Sequence, residues 1–88
     1  MNKSSQCTLR LLYFAAAREQ TQCQEEEVTL DHPCTLSDLK RIIYQKYETL
    51  EPLDRYLRWA VNHSFCEDDH FTLREGDEIA LIPPISGG

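Results

Sequence analysis

"LREGDEIALIPPISGG", Leu73 to Gly88, is the stretch on which the fold turns. The segment "REGDE" reads as a turn in which Gly76 supplies the backbone freedom. Glu78 to Pro83 then reads as a strand, with Ile79 and Leu81 on one side of an extended chain and Glu78, Ala80 and Ile82 on the other. Pro83 and Pro84 fix their own φ angles and push the residue ahead of them toward extended geometry, whereas Gly87 and Gly88 carry almost no steric restriction. The segment is expected to be a strand that runs out into a stiff stalk with a bare glycine tip.

Partners for that strand lie upstream. Thr8 to Phe14 is rich in β-formers and places Leu9, Leu11 and Tyr13 on one face, Arg10, Leu12 and Phe14 on the other. Glu25 to Asp31 reads as its neighbour, with Val28 and Leu30 turned inward, and Ala15 to Gln20 as a turn of helix in the connection between them. Arg58 to Asn62 is a third strand with Trp59 and Val61 inward, and Phe71 to Leu73 a short fourth. Thr35-Leu36-Ser37-Asp38 is a capping-box pattern opening a helix whose apolar stripe is Leu36, Leu39, Ile43 and Tyr47, with Ile42 beside it; Lys40, Arg41 and Lys46 fall largely outside the stripe, and Pro52 marks the loop beyond. One helix cannot cover both faces of a five-stranded sheet, so the fold class is α+β with the helix packed on one side.

Composition narrows the function. A chain of 88 residues is one domain, and at that size it buries only about 60% of the surface its unfolded form exposes, which leaves no room for a deep catalytic cleft. Nine Lys+Arg against fifteen Asp+Glu give a formal charge of −6, with acids clustered at Glu25-Glu26-Glu27, Glu67-Asp68-Asp69 and Glu75-Asp77-Glu78. Nucleic acid and anionic membrane are therefore excluded as expected partners, and a basic protein surface is favoured, although such acidic runs are more often solvated faces. Cys7, Cys23, Cys34 and Cys66 show no C-x-x-C spacing and read as free thiols in a reducing compartment. "LRLLYFAAA" after Lys3 imitates an export signal, but Arg10 interrupts it and cleavage there would remove the first strand. No segment reaches the length of a membrane span.

Strand, strand, helix, strand, short strand, strand, with a protruding Gly-Gly end, resembles the β-grasp or ubiquitin-like fold, in which the first and last strands lie parallel in the centre of a mixed sheet. The blocks "LLYFAAAREQ", "WAVN" and above all "LREGDEIALIPPISGG" resemble the small, sulfur-carrying subunit of molybdopterin synthase, the MoaD family. The resemblance spans the whole domain, while Gln22 to Leu57 carries no family-specific motif. It implies a β-grasp domain over residues 1–82 and an extended tail over residues 83–88.

The same resemblance implies chemistry at the C-terminal carboxylate. An ATP-dependent adenylyltransferase similar to ubiquitin-activating enzymes would join AMP to Gly88, and sulfur would replace AMP to leave a Gly88 thiocarboxylate. Pro83, Pro84, Ile85, Ser86 and Gly87 would thread a channel in the large subunit, which holds the catalytic residues and receives sulfur onto cyclic pyranopterin monophosphate. The expected assembly is a cytoplasmic heterotetramer of two small and two large subunits. ATP is consumed by the activating enzyme, and this chain itself is expected to bind neither cofactor nor metal and to act as a non-catalytic sulfur donor. Six residues from Pro83 to Gly88 can extend about 20 Å, enough to reach another protein's interior. A ubiquitin-like protein modifier, or another pathway's sulfur carrier, is the alternative use of the same fold and glycine.

Alternation by itself adds a docking expectation. With Leu9, Leu11, Tyr13, Ile79 and Leu81 against the helix, Arg10, Leu12, Phe14, Glu78, Ala80 and Ile82 share the uncovered face. Parallel first and last strands put Phe14 and Ile82 at one end, beside the stalk, so Phe14, Ile82, Leu12 and Arg10 form a candidate docking surface, with Arg58 and Glu78 in its polar part. His63, Cys66 and His70 include metal-ligand types, but their spacing lacks a further partner and falls in an expected hairpin loop, where solvation is the simpler account. Of the cysteines, Cys34 is the one whose pKa a helix N-terminus would lower. All four are expected to be structural or incidental, leaving no nucleophile and base pair for independent catalysis.

Overall fold

The computed structural model describes residues 6–83. Its order is β1 (Gln6–Tyr13), α1 (Ala15–Thr21), β2 (Glu25–Asp31), β3 (Cys34–Thr35), α2 (Leu36–Lys46), a 3₁₀ segment (Glu48–Tyr56), β4 (Arg58–Val61), β5 (Ser64–Phe65), β6 (Thr72–Leu73) and β7 (Glu78–Ile82). The main sheet runs β2-β1-β7-β4-β5, with β1 and β7 parallel at its centre and every other pairing antiparallel. This is the β-grasp arrangement, a mixed five-stranded sheet with its helices on one side.

Helix α2 starts where its cap demands. Thr35 Oγ1 accepts the Asp38 N–H at 3.2 Å while Asp38 Oδ2 accepts the Thr35 N–H at 2.9 Å, so both halves of the capping box form. The bond from the Thr35 backbone holds the Asp38 carboxyl below its usual range. The next helical amides are taken up by a loop, Leu36 N–H donating to Phe71 O and Ser37 N–H to Asp69 O. Leu36, Leu39 and Ile43 are fully buried, Tyr47 is half-buried, and Ile42 lies at the rim, 37% exposed.

Strand alternation sorts the sheet into two faces. Leu9, Leu11, Tyr13, Ile79 and Leu81 are completely buried beneath the helix together with Trp59 and Val61. At about 1.5–3 kcal/mol for each large apolar side chain removed from water, this layer dominates the stabilisation of a domain so small. "LRLLY", within the stretch that imitates an export signal, forms the latter part of the interior strand β1, buried at Leu9, Leu11 and Tyr13.

Two elements differ from expectation. Residues 71–73 do not join the main sheet: β6 pairs with β3 in a separate two-stranded ladder, Cys34 opposite Leu73, and anchors the start of α2. The fifth strand of the main sheet is β5, reached from β4 by a two-residue turn in which Asn62 and His63 both adopt positive φ, 49° and 75°. The region around Pro52 is not open loop but the 3₁₀ segment, which buries Leu50. Among the described residues no helix is long and apolar enough to cross a membrane.

Candidate functional site

The parallel pairing of β1 with β7 fixes where the chain leaves the sheet. Tyr13 lies opposite Leu81, and the Phe14 N–H donates to Leu81 O, so Phe14 stands beside Ile82 at the exit. Pro83 is itself buried, its side chain taken up by this domain. Pro84, Ile85, Ser86, Gly87 and Gly88, expected to form the stalk and reactive tip, lie outside the described residues.

On the uncovered face the register lines up three rows. Leu12, Ala80, Ala60 and Phe65 follow one another across β1, β7, β4 and β5. The two alanines keep the middle of this row low between larger side chains. Toward the exit, Phe14 is followed by Ile82 and then Arg58, the latter two cross-strand partners. Away from the exit, Arg10 sits between Glu27 and Glu78 in register, and its guanidinium bonds Glu25 at 2.7 Å. Phe14 is 40% and Phe65 55% exposed, while Leu12, Ala80 and Ile82 are half-buried. Arg10, Leu12, Phe14 and Ile82 are thus on one continuous surface.

Sequence reasoning missed Phe65. Its ring carries the Arg58 guanidinium, 3.9 Å from its centroid, and makes the apolar row span four strands. The usable signal was Asn62, a residue that tolerates positive φ between two β-rich runs, which marks a tight hairpin and fixes the face of the returning strand.

Behind the sheet, a polar clasp joins β1, β2 and α2. Glu26 Oε2 accepts the Tyr13 hydroxyl at 2.6 Å and the Tyr47 hydroxyl at 2.8 Å, while Oε1 meets Lys46 Nζ at 2.7 Å. Burial would push the Glu26 carboxyl up, but the bonds from Lys46, Tyr13 and Tyr47 together hold it below the usual range. Burial, then the bond to Glu26, push the Tyr13 phenol far above its ordinary value. The clasp fixes β2 against the helix; it presents no reactive group.

The remaining candidates converge on no common site among the described residues. All four cysteines are free. Cys34 is not activated by the helix end: burial, followed by its neighbour Cys7, pushes its thiol up to about 11. A buried thiol two residues before α2 loses more from desolvation than it gains from the dipole. His63 Nε2 contacts Glu78 Oε1 at 2.8 Å, and among the described residues no three His, Cys, Asp or Glu side chains converge on a common metal position.

A family model described as the ThiS family matches residues 11–88. The molybdopterin synthase sulfur carrier subunit of Mycosarcoma maydis is 37% identical over 87 residues, which cover 92% of this chain and 94% of that one. Among solved structures, the putative molybdopterin converting factor, subunit 1, from Pyrococcus furiosus matches with a TM-score of 0.82 at 24% identity, covering 90% of this chain and 99% of that one. A chain from the protein–protein complex of subunits 1 and 2 of the molybdopterin-converting factor of Helicobacter pylori matches with a TM-score of 0.64 at 26% identity, covering 92% and 99%. With its sheet order and these relatives in agreement, the chain belongs to the ThiS family, in which its relatives include proteins named as molybdopterin synthase sulfur carrier subunits.

Proposed function

We propose that this chain carries sulfur for a molybdopterin synthase and that its working atoms are those of the Gly88 carboxylate. A carboxylate is a poor acyl donor at neutral pH. An adenylyltransferase similar to the ubiquitin-activating enzymes attaches it to the α-phosphate of ATP and releases pyrophosphate. Reduced sulfur from a donor then attacks the acyl carbon, AMP leaves, and Gly88 becomes a thiocarboxylate. In the large subunit two such carriers in turn each pass one sulfur to cyclic pyranopterin monophosphate, water restoring each Gly88 carboxylate, and the two sulfurs complete the dithiolene that later holds molybdenum. ATP belongs to the activating enzyme, the catalytic residues to the large subunit, and the sulfur donor group to this chain. The working assembly is two small and two large subunits in the cytoplasm.

The observation that carries this reading is the position of β7. It is hydrogen-bonded on both sides, to β1 and to β4, and directs the chain out of the middle of the sheet beside the exposed Phe14. A tail rooted in a strand paired on both sides starts from a fixed point beside a docking face, as delivery into another protein requires. The open row from Leu12 to Phe65, together with Phe14 and Ile82, is the surface on which the large subunit sits. The Helicobacter pylori complex, in which subunits 1 and 2 associate, supports a partner of this kind.

Intact mass spectrometry of the protein from its own cells tests the proposal. Replacement of one terminal oxygen by sulfur is the expected species. Covalent adducts joining Gly88 to lysines of other proteins would instead identify a ubiquitin-like modifier. A thiocarboxylate that a purified large subunit cannot discharge onto the pterin precursor would identify another pathway's sulfur carrier.

A further inference from the structure

At the end of β4 from which the tail also departs, a cleft of about 460 Å³ opens below the sheet. Lys40, Arg55 and Arg58 line it with Glu67 and Asp69, over the indole of Trp59. It is net positive on a chain whose formal charge is −6. Two other concave regions among the described residues have the opposite character, one lined by Glu48 and Glu51, the other by Glu25, Glu26 and Glu27 around Arg10.

We propose that this cleft receives a carboxylate side chain of the large subunit, an ionic contact added to the apolar docking face. The inference rests on the large-subunit reading above. Its cations are already disposed to hold carboxylates: Lys40 Nζ meets Asp69 at 2.7 Å and Arg58 meets Glu67 at 3.3 Å. The Glu67 side chain is 84% exposed, and a pair so wet contributes little, so an incoming acid displaces it readily. Arg55 rests against the Tyr56 ring at 5.9 Å and has no acidic partner among the described residues. Lys40, with only 21% of its side chain exposed, lies 5.7 Å from the Trp59 ring centroid, in a setting where charge is weakly screened. Arg58 links the two surfaces, since its guanidinium walls the cleft and also lies on Phe65 of the open face. A partner seated on that face therefore has its edge at the cleft, and guanidinium forks are suited to a carboxylate that arrives there.

The test is calorimetric titration of the full chain against its large subunit at low and high salt. Arg55→Gln and Arg58→Gln should each weaken binding about tenfold and flatten its salt dependence, with thermal melts unchanged. Arg55→Lys, treated with a carbodiimide in the complex, should cross-link from position 55 to an Asp or Glu of the large subunit, located by peptide mass spectrometry. Normal affinity in both glutamine variants overturns the inference, as does weakened binding without that cross-link, which would assign the cations to another anion such as phosphate. Phe14→Asp separates the two levels. If it abolishes binding while the glutamine variants bind normally, the cleft inference fails and the large-subunit reading stands. If the unaltered chain does not bind the large subunit, both fall.

Discussion

Ile79 and Ile82 lie three residues apart on β7 and occupy opposite faces, so one substitution at each isolates what a face means. Ile79 is completely buried. Ile79→Asp forfeits about 1.5–3 kcal/mol of apolar burial and adds several kcal/mol for a carboxylate without a partner. At roughly 0.05–0.15 kcal/mol per residue, a domain of this length has about 4–13 kcal/mol of stability in total, so that loss consumes most of it. Ile82 is only half-buried, and its cross-strand partner is Arg58, which gives a new carboxylate a counter-charge. Ile82→Asp should therefore cost about 1 kcal/mol, a fall in Tm of about 4–8 °C for a domain of this size. Against the large subunit the order reverses in importance: the folded Ile82→Asp chain must desolvate its charge to dock and should bind about 100-fold or more weakly. Thermal melts followed by circular dichroism, with calorimetric titration of whichever variants fold, decide the matter. A native melt for Ile79→Asp together with an unfolded Ile82→Asp would show that the two faces are assigned backwards.

Deleting Gly88, or adding one residue after it, should leave the melt unchanged and abolish pterin sulfuration in a purified assay, because the reacting carboxylate would stand at the wrong distance from the sheet; normal product from either variant would refute the mechanism. Gly87→Phe should be poorly activated or poorly discharged, and normal transfer would disprove a narrow channel around the tip. The Glu26 clasp makes the fold acid-sensitive. Because the folded carboxyl sits below its ordinary value, its contribution is complete above the unfolded carboxylate range and is lost as pH falls through the folded pKa. Glu26→Ala strips the acceptor from the buried Tyr13 hydroxyl and should cost on the order of 1–3 kcal/mol by urea titration at neutral pH, a difference that narrows in acid. An equal penalty at every pH would mean that the carboxylate charge does not contribute.

The parts of the molecule most legible in the sequence are those governed by short-range rules. Alternation placed Leu11 and Ile79 inside and Leu12 and Ile82 outside because side-chain direction in a strand repeats every two residues, and the Thr35 to Asp38 pattern located the start of α2 through bonds that span only three residues. Reading was harder where a two-residue element takes its partner from far away. Nothing local in Phe71 to Leu73 tells that it pairs with Cys34 and Thr35 in place of the main sheet. Glu26 was overlooked for another reason: the parity that turns Val28 and Leu30 inward also turns Glu26 inward, yet its place in a run of three acids makes solvation the default reading. What overrides that default is two tyrosine hydroxyls and a lysine supplied by distant segments.

The parallel union of β1 and β7 also determines how the domain bears load. If a partner holds the tail as proposed, its withdrawal is a pull directed along β7. The hydrogen bonds to β1 and β4 lie across that direction, so they are sheared together and share the force, whereas a hairpin pulled open from its end yields one bond at a time. A pull on the tail is therefore resisted by both ladders at once, which a carrier repeatedly released from a partner, as proposed above, would require.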